Sequence, residues 1–107
     1  MLKKVEEENI NLSKIKGVLI GGQEQWHKKM REHLPLFTFI NTESFDIKLL
    51  DSADIIIISP IFLSHKLYYK VINEVRRKKV PAGYISSLNE DLAFKQIKEI
   101  VSKHLKS

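Results

Sequence analysis

The chain has 107 residues, no cysteine and a formal net charge of +5. That length suits one domain with a single core, and the lack of cysteine excludes disulfides, thiolate catalysis and cysteine-held zinc or iron–sulfur centres. Hydrophobic residues make up 43% and charged residues 29%, and no apolar run approaches the ~20 residues of a membrane span.

Leu2, Val5, Asn9 and Leu12 recur at spacings of three, four and three, an a/d pattern with asparagine at an a position. Residues 1–14 are therefore expected to form a short amphipathic arm. It either docks on the domain that fills 15–107 or pairs two copies into a homodimer through Leu2, Val5 and Leu12. The charged start, Lys3 and Lys4 followed by Glu6, Glu7 and Glu8, lacks the apolar core of a secretory signal. A cytoplasmic location is the expectation.

Lys16, Gly17, Val18, Leu19 and Ile20 read as a first buried strand, ended by Gly21 and Gly22. A helix follows from Gln23 or Glu24, with Trp26, Met30, His33 and Leu34 on one face and Lys28, Lys29 and Arg31 largely on the other. Pro35 is expected to stop it. Phe37 to Asn41 alternate and favour a second strand nearer a sheet edge. Residues 42–53 connect onward, with one helical turn over Ile47–Leu50.

Ile55–Ile58 is a run of four isoleucines. It lacks two-residue alternation, so both of its faces must be apolar, as in the middle of a covered parallel sheet. Ser59 and Pro60 stop that strand. Ser64 is a good N-cap for the next helix, where Leu67, Tyr68, Val71, Ile72 and Val75 keep helical spacing. Arg76, Arg77, Lys78 and Lys79 suit its C-terminal dipole. Pro81 opens a fourth strand over 82–85. Ser86, Ser87 and Asn89 are candidate caps for the last helix, and Ser87 with Glu90 has the capping-box spacing. Leu92, Ala93, Phe94, Ile97, Ile100, Val101 and Leu105 form its apolar stripe. The alternation of strands and helices predicts a single small three-layer α/β domain with a four-stranded parallel sheet in the order 2-1-3-4. That is a Rossmann-like architecture.

Such sheets place ligands at the carboxyl ends of the strands where the strand order reverses. That edge gathers Gly21, Gly22, Gln23, Ser59, Ser64, His65, Lys66 and Ser86 as the expected ligand-binding residues. The glycines allow positive φ and close backbone approach, which would let them cradle an anion ahead of a helix. Neither the P-loop pattern nor Gly-x-Gly-x-x-Gly is present. Glu43 stands about 20 residues past the glycines, where dinucleotide folds hold a ribose-binding acid, although taken alone these features read first as a strand, a tight turn and a surface glutamate. His65 and Lys66 put cations in the first turn of a helix, against its macrodipole, which is the pattern an anion site would show, the alternative being that both side chains simply bend into solvent. No histidine or carboxylate set has metal-ligand spacing, so no metal is expected and no cofactor is identified. His27 and His33, six apart, do not form a set. Trp26 and Tyr68 read as core, Tyr69 as surface or site rim.

These residues predict a small binding or regulatory module for a small anionic, nucleotide-like ligand. One alternative is an enzyme acting on a phosphorylated or carboxylated small molecule, with His65 as general acid–base. Another is a nucleic-acid surface built from Lys28, Lys29, Arg31 and the four cations at 76–79, although the basic residues are spread over several helices and read first as a solvated surface. No membrane partner is expected.

Gly21, Gly22, Gln23, Glu24, Gln25 and Trp26, then Asp51 to Asp54, then Phe62, Leu63, Ser64 and His65, then Val80 to Tyr84, resemble the bacterial family called domain of unknown function 2325. The resemblance runs from about Lys16 to Leu105. It implies a Rossmann-like fold, often preceded by a coiled-coil segment, and marks Gly21, Gly22, Ser64 and His65 as the positions to watch. At Gln23 the chain departs from the histidine or arginine of many relatives. The resemblance implies no particular activity.

Overall fold

The computed structural model describes residues 11–59 and 61–105. Four strands, β1 (Gly17–Ile20), β2 (Thr38–Ile40), β3 (Ile55–Ile58) and β4 (Ala82–Tyr84), pair in parallel in the order β2-β1-β3-β4. Three helices, α1 (Glu24–Arg31), α2 (His65–Lys78) and α3 (Glu90–Leu105), cover the two faces of the sheet. The four isoleucines of β3 are fully buried because successive side chains serve opposite faces of a covered sheet. Ile55 and Ile57 share a core with Leu19, with Trp26 and Met30 of α1 and with Ala93, Ile97 and Val101 of α3. Ile56 and Ile58 pack with Val18, Ile20 and with Leu67, Val71 and Ile72 of α2. This is the Rossmann-like domain that the apolar runs imply.

The connector between β2 and β3 carries a 3-10 turn at Ile47–Leu50 that buries Leu50 under the α2 face. Lys70 ties this connector down: its Nζ donates to the carbonyls of Glu43 and Phe45, both at 2.7 Å. It also lies 4.2 Å from the Phe45 ring centre. At the opposite edge of the sheet, Asp54 links β3 to β1. Its backbone N–H donates to Lys16 O, and its Oδ2 accepts from Lys16 N–H at 3.1 Å.

Three local expectations are corrected. The second strand is shorter than 37–41, because Phe37 N–H closes a turn onto Leu34 O and its ring fills the space left by the absent side chain of Gly17. α1 ends at Arg31, before Pro35, because His33 and Leu34 both donate to Met30 O and wind the turn down. Of the three candidate caps of α3 it is Asn89 that serves, its Oδ1 accepting from Leu92 N–H at 3.1 Å, while Ser87 Oγ accepts from Asn89 N–H and forms no capping box. Glu90 reaches His33 at 2.8 Å instead of closing a capping box. Leu12, on the apolar face of an arm expected either to dock or to pair, begins a 3-10 turn and is buried in the domain's own core. Leu2 and Val5 lie outside the described residues. Among the described residues, no helix is long and apolar enough to cross a membrane.

Candidate functional site

β1 delivers Gly21 and Gly22 to the carboxyl edge with φ of 92° and 87°, a region that only glycine enters freely. Both amides have partners inside the fold: Gly21 N–H donates to Ile40 O and Gly22 N–H to Ile61 O, each at 2.7 Å. A Cβ on Gly21 would stand 2.9 Å from Ile61 O and 3.0 Å from Ser59 O. The pair thus knits the ends of β1 and β2 to the turn after β3. Its N–H groups are committed, which corrects the expectation that they cradle an anion.

Ser59 is likewise committed. It is fully buried, and its Oγ accepts from Ile61 N–H at 3.2 Å. Ser86 is held by Gln96, which accepts from its N–H at 2.9 Å and donates to its Oγ at 2.7 Å. Gln23 is the N-cap residue of α1, exposed, and makes no side-chain cap bond. Gly21, Gly22 and Ser59 therefore meet at one junction that shapes the edge, while Ser86 belongs to the packing of α3.

Ser64, His65 and Lys66 differ from these. Ser64 caps α2 by accepting from Leu67 N–H at 3.1 Å. No acidic residue offsets the dipole in the first turn of this 14-residue helix. His65 and Lys66 are exposed and form no hydrogen bond or ion pair among the described residues. A cavity of about 220 Å³ opens beside them, lined by Leu63, Ser64, His65 and Tyr68.

Aromatic rings continue from there across the edge. The His65 and Tyr69 ring centres are 6.4 Å apart, those of Tyr69 and Tyr68 5.5 Å, and the Tyr68 and Tyr84 hydroxyls are 3.0 Å apart. Tyr68 is half-buried, so its expected place in the core becomes a place at the core's margin. Phe62, in the turn before α2, has a φ of 54° and is 55% exposed. A bulky non-glycine residue at positive φ costs about 1–2 kcal/mol, and such outliers gather at functional edges.

The hydrogen bond with Tyr68 raises the pKa of Tyr84 above its ordinary 10.0, helped by partial burial and by repulsion from Tyr68, with Arg76 pulling the other way. A raised folded-state pKa contributes stability that is fully present below the ordinary value and is lost as pH rises through the folded one. Tyr68→Phe should therefore bring the tyrosinate absorbance of Tyr84 in at lower pH than in the wild type. The stability gap between the two proteins should close above pH 10.0. Identical Tyr84 titrations in both proteins would show that the hydroxyl pair does not form.

The basic cluster at the end of α2 is partly neutralised inside the domain. Arg77 holds Glu74 at 2.8 Å, and Lys78 pairs with Asp51 and Glu74. Among the described residues, no group of three or more histidine, aspartate or glutamate side chains is arranged to hold a metal ion.

His27 is the residue that sequence reading undervalued. It is only 4% exposed, its Nε2 lies 2.8 Å from Gly21 O, and its ring is 5.0 Å from that of Phe39. The signal was its spacing of three to Met30 and seven to Leu34, which places it on the buried stripe of α1.

Fold and edge together define a small Rossmann-like α/β domain with a cationic, aromatic rim at the start of α2. No protein-family model matches the chain, and no curated protein and no solved structure matches it.

Proposed function

We propose that the chain is a small binding or regulatory module that holds a small anionic ligand with a flat apolar part, a nucleotide-like molecule, at the carboxyl edge of its sheet. The observation that carries this reading is the first turn of α2. There His65 and Lys66, exposed and unpaired among the described residues, share a turn that has no acid and borders a cavity. Helix N-termini attract anions through free N–H groups and the macrodipole. The neighbouring rings of Tyr69 and Tyr68 supply apolar faces for the flat part. The resemblance to the domain of unknown function 2325 family belongs to the same proposal, since it marks Ser64 and His65.

Thermal melting with inorganic phosphate and with adenosine monophosphate tests it. Either ligand, at ~100 times its dissociation constant, stabilises the fold by ~2.7 kcal/mol, and the nucleotide should reach that effect at lower concentration. His65→Ala should shrink the response and leave ligand-free stability unchanged or slightly raised, because it removes a side chain that opposes the dipole when charged. Ser64→Ala should shrink the response too, and should cost ~1 kcal/mol without ligand by removing a cap. A strongly destabilising His65→Ala with an intact ligand response would make His65 structural and the proposed site wrong.

A further inference from the structure

We infer that the crevice at the carboxyl ends of β1 and β2 is a second binding site, shaped for a small zwitterion such as a free amino acid. The cavity measures about 270 Å³ and is lined by Glu24, His27, Lys28, Arg31, Phe39 and Asn41. It lies on the α1 side of the sheet and shares no lining residue with the cavity at the start of α2.

One part of this crevice suits a carboxylate. The Arg31 guanidinium carbon sits 5.3 Å from the centre of the Phe39 ring. This guanidinium forms no ion pair among the described residues, and its N–H fork can take a bidentate oxygen pair. Lys28 adds a second positive charge.

The other part offers acceptors. His27 Nε2 lies against a carbonyl oxygen, so it must be the donor, and Nδ1 of the neutral ring is left as a lone-pair acceptor. No partner meets Nδ1 among the described residues. The His27 ring lines the cavity, and its Nδ1 is not among the polar atoms sealed from solvent without a partner. Asn41 donates through Nδ2 to Gly22 O at 3.1 Å, which leaves Oδ1 as a second acceptor. Glu24 contributes a carboxylate that forms no ion pair with Lys28 or Arg31.

The combination selects the ligand class. A site for a plain anion would not hold three acceptors, and a site for a cation would not hold Lys28 and Arg31. A carboxylate joined to an ammonium group satisfies both sets.

Nuclear magnetic resonance titration of the full chain tests this, with L-serine as the probe and propionate and inorganic phosphate as comparisons. L-Serine should give saturable shifts at the His27 ring and the Arg31 side chain, and propionate and phosphate should bind more weakly. Arg31→Gln and Glu24→Gln, both at exposed positions, should each weaken L-serine by about tenfold, the scale of a charge-assisted hydrogen bond. His65→Ala should leave the titration unchanged. Non-saturable shifts, equal or tighter binding of propionate or phosphate, or undiminished affinity in Arg31→Gln would each overturn the inference. Loss of L-serine binding in His65→Ala would show that the two edges form one site.

Discussion

Ile57→Ala is expected to lower the unfolding free energy by about 2–5 kcal/mol, the range for removing a buried isoleucine side chain. Ile57 lies in β3, paired with Leu19 of β1 on one side and Gly83 of β4 on the other, and it is 0% exposed. Its side chain enters the core where Ala93 and Ile97 of α3 meet Leu19 and Met30. Strands on both sides fix the backbone, so the surroundings have little freedom to collapse into the space vacated, and the cost should fall in the upper part of that range. A domain of this size has a total stability of roughly 5–15 kcal/mol, so the variant sits near the limit of folding. Urea denaturation checks it: the midpoint should drop while the slope stays constant. Leu92→Ala, at a position that is 53% exposed on α3, should change stability by no more than about 0.5 kcal/mol. Equal effects of the two substitutions would mean that the isoleucine run is not the centre of the sheet.

The same isoleucines explain why the architecture is legible in the sequence. A run with no alternation has one structural use, a strand covered on both faces, and the helical spacing after Ser64 supplies the cover. Parallel order then followed from right-handed crossovers. The site was less legible, because donors and acceptors are committed by contacts distant in sequence. Nothing near Gly21 and Gly22 announces that Ile40 O and Ile61 O take their amides. Nothing near Ser86 points to Gln96. Local chemistry was readable where it acts locally, as in the Ser64 cap bonded to Leu67 three residues on. His27 is a different case: its spacing to Met30 and Leu34 sets it on the apolar stripe of α1, but a titratable side chain there does not by itself announce that its ring is buried.

Gly22→Ala is expected to cost about 2–4 kcal/mol, combining strain at positive φ with overpacking. The backbone of Gly22 sits at a φ of 87°. An added Cβ would stand 2.6 Å from Trp26 Cε3, 2.8 Å from Trp26 Cζ3 and 3.3 Å from His27 Nε2. Trp26 is only 7% exposed within the α1 and α3 core, so its indole cannot swing aside without opening that core. Gly83→Ala offers the contrast. Its Cβ would also meet a neighbour at 2.6 Å, but that atom is the Cγ2 of the half-buried Ile100, and φ there is not positive. Rotation of one aliphatic side chain relieves it, and the cost should be smaller. Trp26 is the single tryptophan of the chain, so its emission reports on the clash directly. Gly22→Ala should shift the folded-state spectrum as well as the denaturation midpoint, whereas Gly83→Ala should leave the spectrum in place. By moving His27 and the Gly22 carbonyl that accepts from Asn41, the Gly22 substitution should also weaken any L-serine titration at the β1–β2 crevice. An unshifted spectrum with full stability in Gly22→Ala would mean that the glycine turn does not seat the indole.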